Sequence, residues 1–133
     1  NPNDAELYLI SSTIEATLGD RELALRHLAM ATERSPANPQ WHNWIRGITL
    51  FLVGKPEEAL AAFEFFGRPN PAMLKWRTIV LVKLGRLEDA RADMRSLLAI
   101  KPNLNAAAAR IVMDYLPACD EYVEAMQQAG LPD

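Results

Sequence analysis

Cysteine is all but missing. Cys119 stands alone among 133 residues, so no disulfide can close within the chain and no cysteine-based metal site can be assembled from it. That usage is compatible with a reducing compartment. Long apolar runs are missing too: the longest, Ile48 to Val53, is far too short to cross a bilayer. The opening Asn1-Pro2-Asn3-Asp4 has neither the basic nor the apolar region of a signal peptide. No membrane segment is expected, and the cytoplasm is the default location. Positive charge is not in excess either. The 14 basic and 17 acidic residues are mixed along the chain and leave a formal charge of -3. Without a basic field to displace counterions from phosphates, no direct nucleic-acid partner is expected.

The motifs of common catalytic machinery are also lacking. There is no Gly-rich phosphate loop with its lysine, no His-Glu-x-x-His and no Gly-x-Ser-x-Gly. His27 lies in a helical stretch and His42 beside two tryptophans. With no Cys or carboxylate cluster at ligand spacing, both histidines read as structural. Cys119 begins a helix, where the dipole favours a thiolate, but it has no paired base and reads as structural too. The expectation is a protein that is not an enzyme and that holds no metal and no cofactor.

What is present is a repeat. Leu18-Gly19-Asp20-Arg21-Glu22-Leu23-Ala24, Val53-Gly54-Lys55-Pro56-Glu57-Glu58-Ala59 and Leu84-Gly85-Arg86-Leu87-Glu88-Asp89-Ala90 share the order apolar, Gly, polar, any, acidic, any, Ala. Each Ala is followed twelve residues later by a proline: Pro36, Pro71 and Pro102. Each glycine supplies the left-handed conformation that ends a helix. Asp20 can cap the next helix, and Pro56 and Pro71 suit a first helical turn. Glu57, Glu58, Glu88 and Asp89 sit where the positive end of a helix dipole favours anions, which is their reading ahead of any acid–base role. Eight helices follow, at about 5–18, 21–34, 40–53, 56–66, 71–84, 87–100, 104–115 and 120–129. Half the residues are apolar, enough for one folded domain over 1–133. The fold class is all-α.

These residues resemble the tetratricopeptide repeat, a unit of about 34 residues. Its small position in the first helix of each pair is matched by Ser12, Gly47 and Thr78. Its apolar position in the second helix is matched by Leu28, Phe63 and Met94, and a second one by Ala31, Phe66 and Leu97. The repeats fall at about 5–36, 40–70 and 71–102, with capping helices over 103–133. The resemblance is imperfect: the family's tryptophan is replaced by Tyr8, Asn43 and Leu74, and the anchors are spaced 35 and then 31 residues apart. It implies an α-solenoid of antiparallel helix pairs wound as a right-handed superhelix.

A solenoid needs an atypical last unit, and Tyr115, Leu116, Tyr122, Val123 and Met126 read as contacts of that cap. The ending Ala129-Gly130-Leu131-Pro132-Asp133, with Trp41, Trp44 and Gly47 and with Gly85, Arg86, Leu87 and Ala90, also resembles the C-terminal repeat regions of proteobacterial class III nucleotide cyclases and winged-helix regulators. That resemblance implies a regulatory or dimerisation region of a larger bacterial signalling protein.

In the tetratricopeptide family the first helices line a concave groove that takes a partner segment. The matched positions here include Leu9 and Thr13, then Trp41, Trp44, Ile48 and Phe51, then Lys75 and Ile79. Trp41 and Trp44 share one helix face and supply the large rigid area typical of binding hot spots, although packing between repeats is an equally good use for them. Lys75 offers an anchor for a partner carboxylate. The expected function is a scaffold that binds a protein or peptide partner, with a homodimer left open.

Overall fold

Four helix ends are built alike. Gly19, Gly54, Gly85 and Gly130 have φ of 88°, 88°, 76° and 114°, backbone that an L side chain rarely adopts. At the first, the Gly19 amide donates to the Ala16 carbonyl (3.2 Å) and the Asp20 amide to the Glu15 carbonyl (2.9 Å). The same pair of bonds recurs at Gly54 and Lys55, at Gly85 and Arg86, and at Gly130 and Leu131. It satisfies carbonyls that a helix end would otherwise leave open. The next helix begins within two residues of each of the first three glycines, so the shared sequence pattern is a helical hairpin written three times.

The computed structural model describes residues 2–34, 40–64 and 69–133, without the side chains of Pro2, Asn3, Gln40 and Trp41. Over these residues the chain is all-α, with eight helices: α1 (Pro2–Thr17), α2 (Arg21–Arg34), α3 (Gln40–Leu52), α4 (Pro56–Glu64), α5 (Pro71–Lys83), α6 (Leu87–Ile100), α7 (Ala106–Met113) and α8 (Cys119–Gln128). They fall into two compact units, Asn1–Arg68 and Pro69–Asp133. The repeat positions Pro36 and Phe66 lie outside the described residues.

In the first unit, α1 pairs with α2 and α3 with α4, and the pairs meet mainly through α1 and α3. The repeat's small residues make this approach close. Ala24 and Ala59 are fully buried. At Gly47 a Cβ would lie 2.5 Å from the ring of Phe63, so α4 sits where only a glycine leaves room on α3. Where α1 meets α3 the contact is polar: Thr49 Oγ1 lies 2.8 Å from the Thr13 hydroxyl and 3.3 Å from that of Ser12. Asp20 caps α2 by accepting from the Leu23 amide (3.2 Å). His27 and Glu15 join α2 to α1 at 2.7 Å, with the His27 ring beside Tyr8.

In the second unit, α5 is the central helix. Met73, Leu74, Trp76, Thr78, Ile79, Val80 and Leu81 are all buried, as expected for a helix covered on nearly every side. Asn70 caps it by accepting from the Met73 amide (2.8 Å). Helix α6 covers one side and ties on through a bidentate ion pair, with Arg77 donating to Asp93 at 2.5 and 2.8 Å. Helix α8 covers another, where Tyr122 meets the Trp76 ring edge-on at 5.8 Å. Helix α7 packs on α8, and the chain end returns to it, since the Pro132 carbonyl accepts from the Ala106 amide (2.8 Å). Leu116, Val123 and Met126 are buried, but Tyr115 is 65% exposed. The Leu116-Pro117 break turns the chain one residue after Tyr115 and carries its ring outward.

Candidate functional site

The residues expected to line a groove separate by unit and by burial. Trp44, Ile48 and Phe51 follow one another around one side of α3 in the first unit. Ile48 is buried, whereas Trp44 and Phe51 are half-buried. Trp41 opens the same helix, but its side chain lies outside the described residues. Leu9 is fully buried between its own neighbours, and Thr13 is engaged by Thr49. Lys75 and Ile79 stand one turn apart on α5 in the second unit, with Ile79 fully buried and Lys75 half-buried. The isoleucines therefore serve the cores of their own units, and the side chains left partly open are Trp44, Phe51 and Lys75.

Among the described residues open apolar side chains gather on α1, and also at Ile111, Val112 and Tyr115 on and just past α7. Leu7, Ile10 and Ile14, continued by Leu18 just past the helix, are 62%, 48%, 54% and 79% exposed. At 100° per residue they fall within an arc of about 80°. The opposite arc holds Ala5, Leu9, Ser12 and Ala16, all buried. Helix α1 is thus apolar on two faces, and three of its four buried residues are small whereas all four exposed ones are large. A soluble helix ordinarily turns its large apolar side chains inward. Sequence reasoning missed this face because it weighed only the positions expected in a groove. The 3-4-4 spacing of Leu7, Ile10, Ile14 and Leu18 was the available signal.

The second unit contains a cavity of about 140 Å³. Leu97 of α6, Leu104 of the α6–α7 connection, Ala109 and Met113 of α7 and Met126 of α8 give it apolar walls, and Lys75 and Lys101 line it as well. Burial lowers the Lys75 ammonium from its ordinary pKa, and Lys101 lowers it further. The Lys75 ammonium also lies 5.8 Å from the Trp76 ring centre. Neither lysine makes an ion pair with a described residue. Lys101 was not legible as a site residue, because it ends the third repeat as a charge beside Pro102. The α5–α6 hairpin brings it to the side of Lys75, and α7 and α8 close the cavity around both.

His42 is buried and its Nε2 lies 4.0 Å from Glu6. The Cys119 thiol donates to the Arg110 carbonyl at 3.8 Å, joining α8 to α7. Among the described residues no group of three His, Cys, Asp or Glu side chains is placed to hold a metal ion. No described helix is long and apolar enough to cross a membrane. Neither a protein-family model, nor a curated protein, nor a solved structure matches the chain.

Proposed function

We propose that this chain is a protein-interaction module of tetratricopeptide-like helical pairs, and that it takes an apolar helix of a partner protein against the open face of α1. The observation that carries the reading is the inverted helix. Leu7, Ile10, Ile14 and Leu18 turn outward while Ala5, Ser12 and Ala16 turn inward. Contiguous exposed apolar side chains of this size favour burial against another apolar surface. The spacing of the four residues fits a helix laid along them. Trp44 and Phe51 of α3, half-buried, are a second candidate contact.

A second reading rests on the same face. Another helical pair of a larger protein could stack on these open side chains, in keeping with the resemblance to the C-terminal regions of nucleotide cyclases and winged-helix regulators.

The test pairs two variants, each first shown to be folded by circular dichroism: Ile10→Asp with Ile14→Asp, and Trp44→Ala. A photocrosslinking residue at position 7 should trap one partner, or a second copy of the chain, and the α1 variant should abolish that product. If the folded α1 variant keeps the partner at undiminished affinity while Trp44→Ala loses it, the binding face lies on α3 and the α1 reading fails.

A further inference from the structure

The cavity of the second unit combines features that packing alone does not explain. Its volume is close to the roughly 150 Å³ that can hold a benzene-sized molecule, and its lining is mostly apolar. Two lysines line the same space, and neither has an acidic partner among the described residues. Pro71 and Ala72, from the first turn of α5, line it too, and there the helix dipole adds positive charge. Lys101 is exposed, which sets the charged end toward solvent and the apolar end inward. A core that merely left a gap would not gather around it two ammonium groups that have no acidic partner among the described residues, since each repels the other and Lys75 also gives up hydration.

We propose that this cavity binds a small free monocarboxylate with an apolar tail, the tail among Leu97, Leu104, Met113 and Met126 and the carboxylate between Lys75 and Lys101. A single negative charge supplies the missing counterion for both lysines. A carboxylate also suits the site better than a doubly charged phosphate, whose heavier dehydration a mostly apolar cavity would not offset. The site lies within Pro69–Asp133 and does not depend on the α1 face.

The test is a titration of the full chain with hexanoate, hexan-1-ol and hexylammonium, followed by amide chemical shifts. Hexanoate should shift the amides of Leu97, Leu104, Ala109 and Met126 and bind about tenfold more tightly than hexanol, the worth of one charge-assisted hydrogen bond. Hexylammonium should not bind. Lys75→Met and Lys101→Met, each checked for folding, should bring hexanoate down to the level of hexanol, whereas Lys55→Met in the first unit should change nothing. If one lysine variant fails to fold, the other carries the test. Equal affinities for hexanoate and hexanol, no binding of either, or a preference that survives in a folded lysine variant would overturn the proposal. So would a peptide with a free C-terminal leucine that displaces hexanoate at a tenfold lower concentration, because the natural occupant would then be a protein terminus.

Discussion

Helices α1 and α5 begin their units with similar material and end in opposite situations. Both carry apolar residues around most of their circumference. In the second unit that surface is covered, by α6 on one side and by α8 on another, and seven residues of α5 are buried. In the first unit α1 packs on α2 and α3, while Leu7, Ile10, Ile14 and Leu18 stay open. In the second unit α8 supplies Val123 and Met126 and places Tyr122 on Trp76. No described element does this for α1. A helix that is apolar all round needs cover on every side, and where the fold does not supply it the uncovered face is the best place to look for a partner.

The largest expected effect tests whether the units are separate at all. Ala59 and Ala90 hold equivalent places and both are fully buried, so Ala59→Arg and Ala90→Arg each force a charge into a helix contact. Each should cost at least about 4 kcal/mol. Hydrogen exchange should rise in residues 1–68 for Ala59→Arg and in 69–133 for Ala90→Arg. Loss of protection across the whole chain in either variant would break the comparison.

Next is the ion pair peculiar to the second unit. Asp93→Ala leaves the half-buried Arg77 guanidinium without its carboxylate and should lower stability by about 3 kcal/mol, read from the denaturant midpoint. Smaller again is the loss of cover on α5: Tyr122→Ala removes the ring on Trp76 and should cost about 1–2 kcal/mol, with a change in Trp76 fluorescence.

The first unit should carry a pH dependence of its own. Burial holds the His42 imidazole below its ordinary value of 6.5, with Glu6 opposing the shift and Arg46 adding to it. A base whose folded pKa is depressed stabilises the fold while both states are neutral. It loses that contribution as pH falls below the unfolded value of 6.5 toward the lower folded one. Unfolding of residues 1–68 should therefore become easier from about pH 6.5 downward, and His42→Gln should flatten the slope. The smallest effect is expected where the comparison is sharpest. Ile10→Asp with Ile14→Asp should change stability by no more than about 0.5 kcal/mol, measured by thermal melting, because nothing described covers that face. A large loss would mean that α1 is already packed on it.

The hairpin framework was legible because its signals are local. A glycine after an apolar residue, an acid in the next turn and a small residue two positions on each act within a few residues, and Gly19, Gly54 and Gly85 turn the chain as their surroundings require. Ser12, Gly47 and Thr78, with Leu28, Phe63 and Met94, are all buried. What escaped is what depends on which neighbour covers which face. Ile48 and Ile79 stand where a family groove would be, yet both are buried in their own units. Helix α5 has no polar side from which its orientation could be read, so the docking of α8 on Trp76 had no sequence phase to announce it. Arg77 and Asp93 are sixteen residues apart on different helices, a separation at which a chain of mixed charge offers many equal pairings. Lys101 reached the cavity for the same non-local reason.

The contact between Gly47 and Phe63 changes how this chain would respond to the most common survey of side chains. Alanine substitution is meant to subtract. At Gly47 it adds one carbon atom, which would land 2.5 Å from a fully buried ring. The distance between α3 and α4 is therefore fixed by a hydrogen atom on one helix and an aromatic edge on the other. A position with nothing to remove can then rank among the most sensitive in its unit, while Ile14, with three side-chain carbons to lose, can rank among the least.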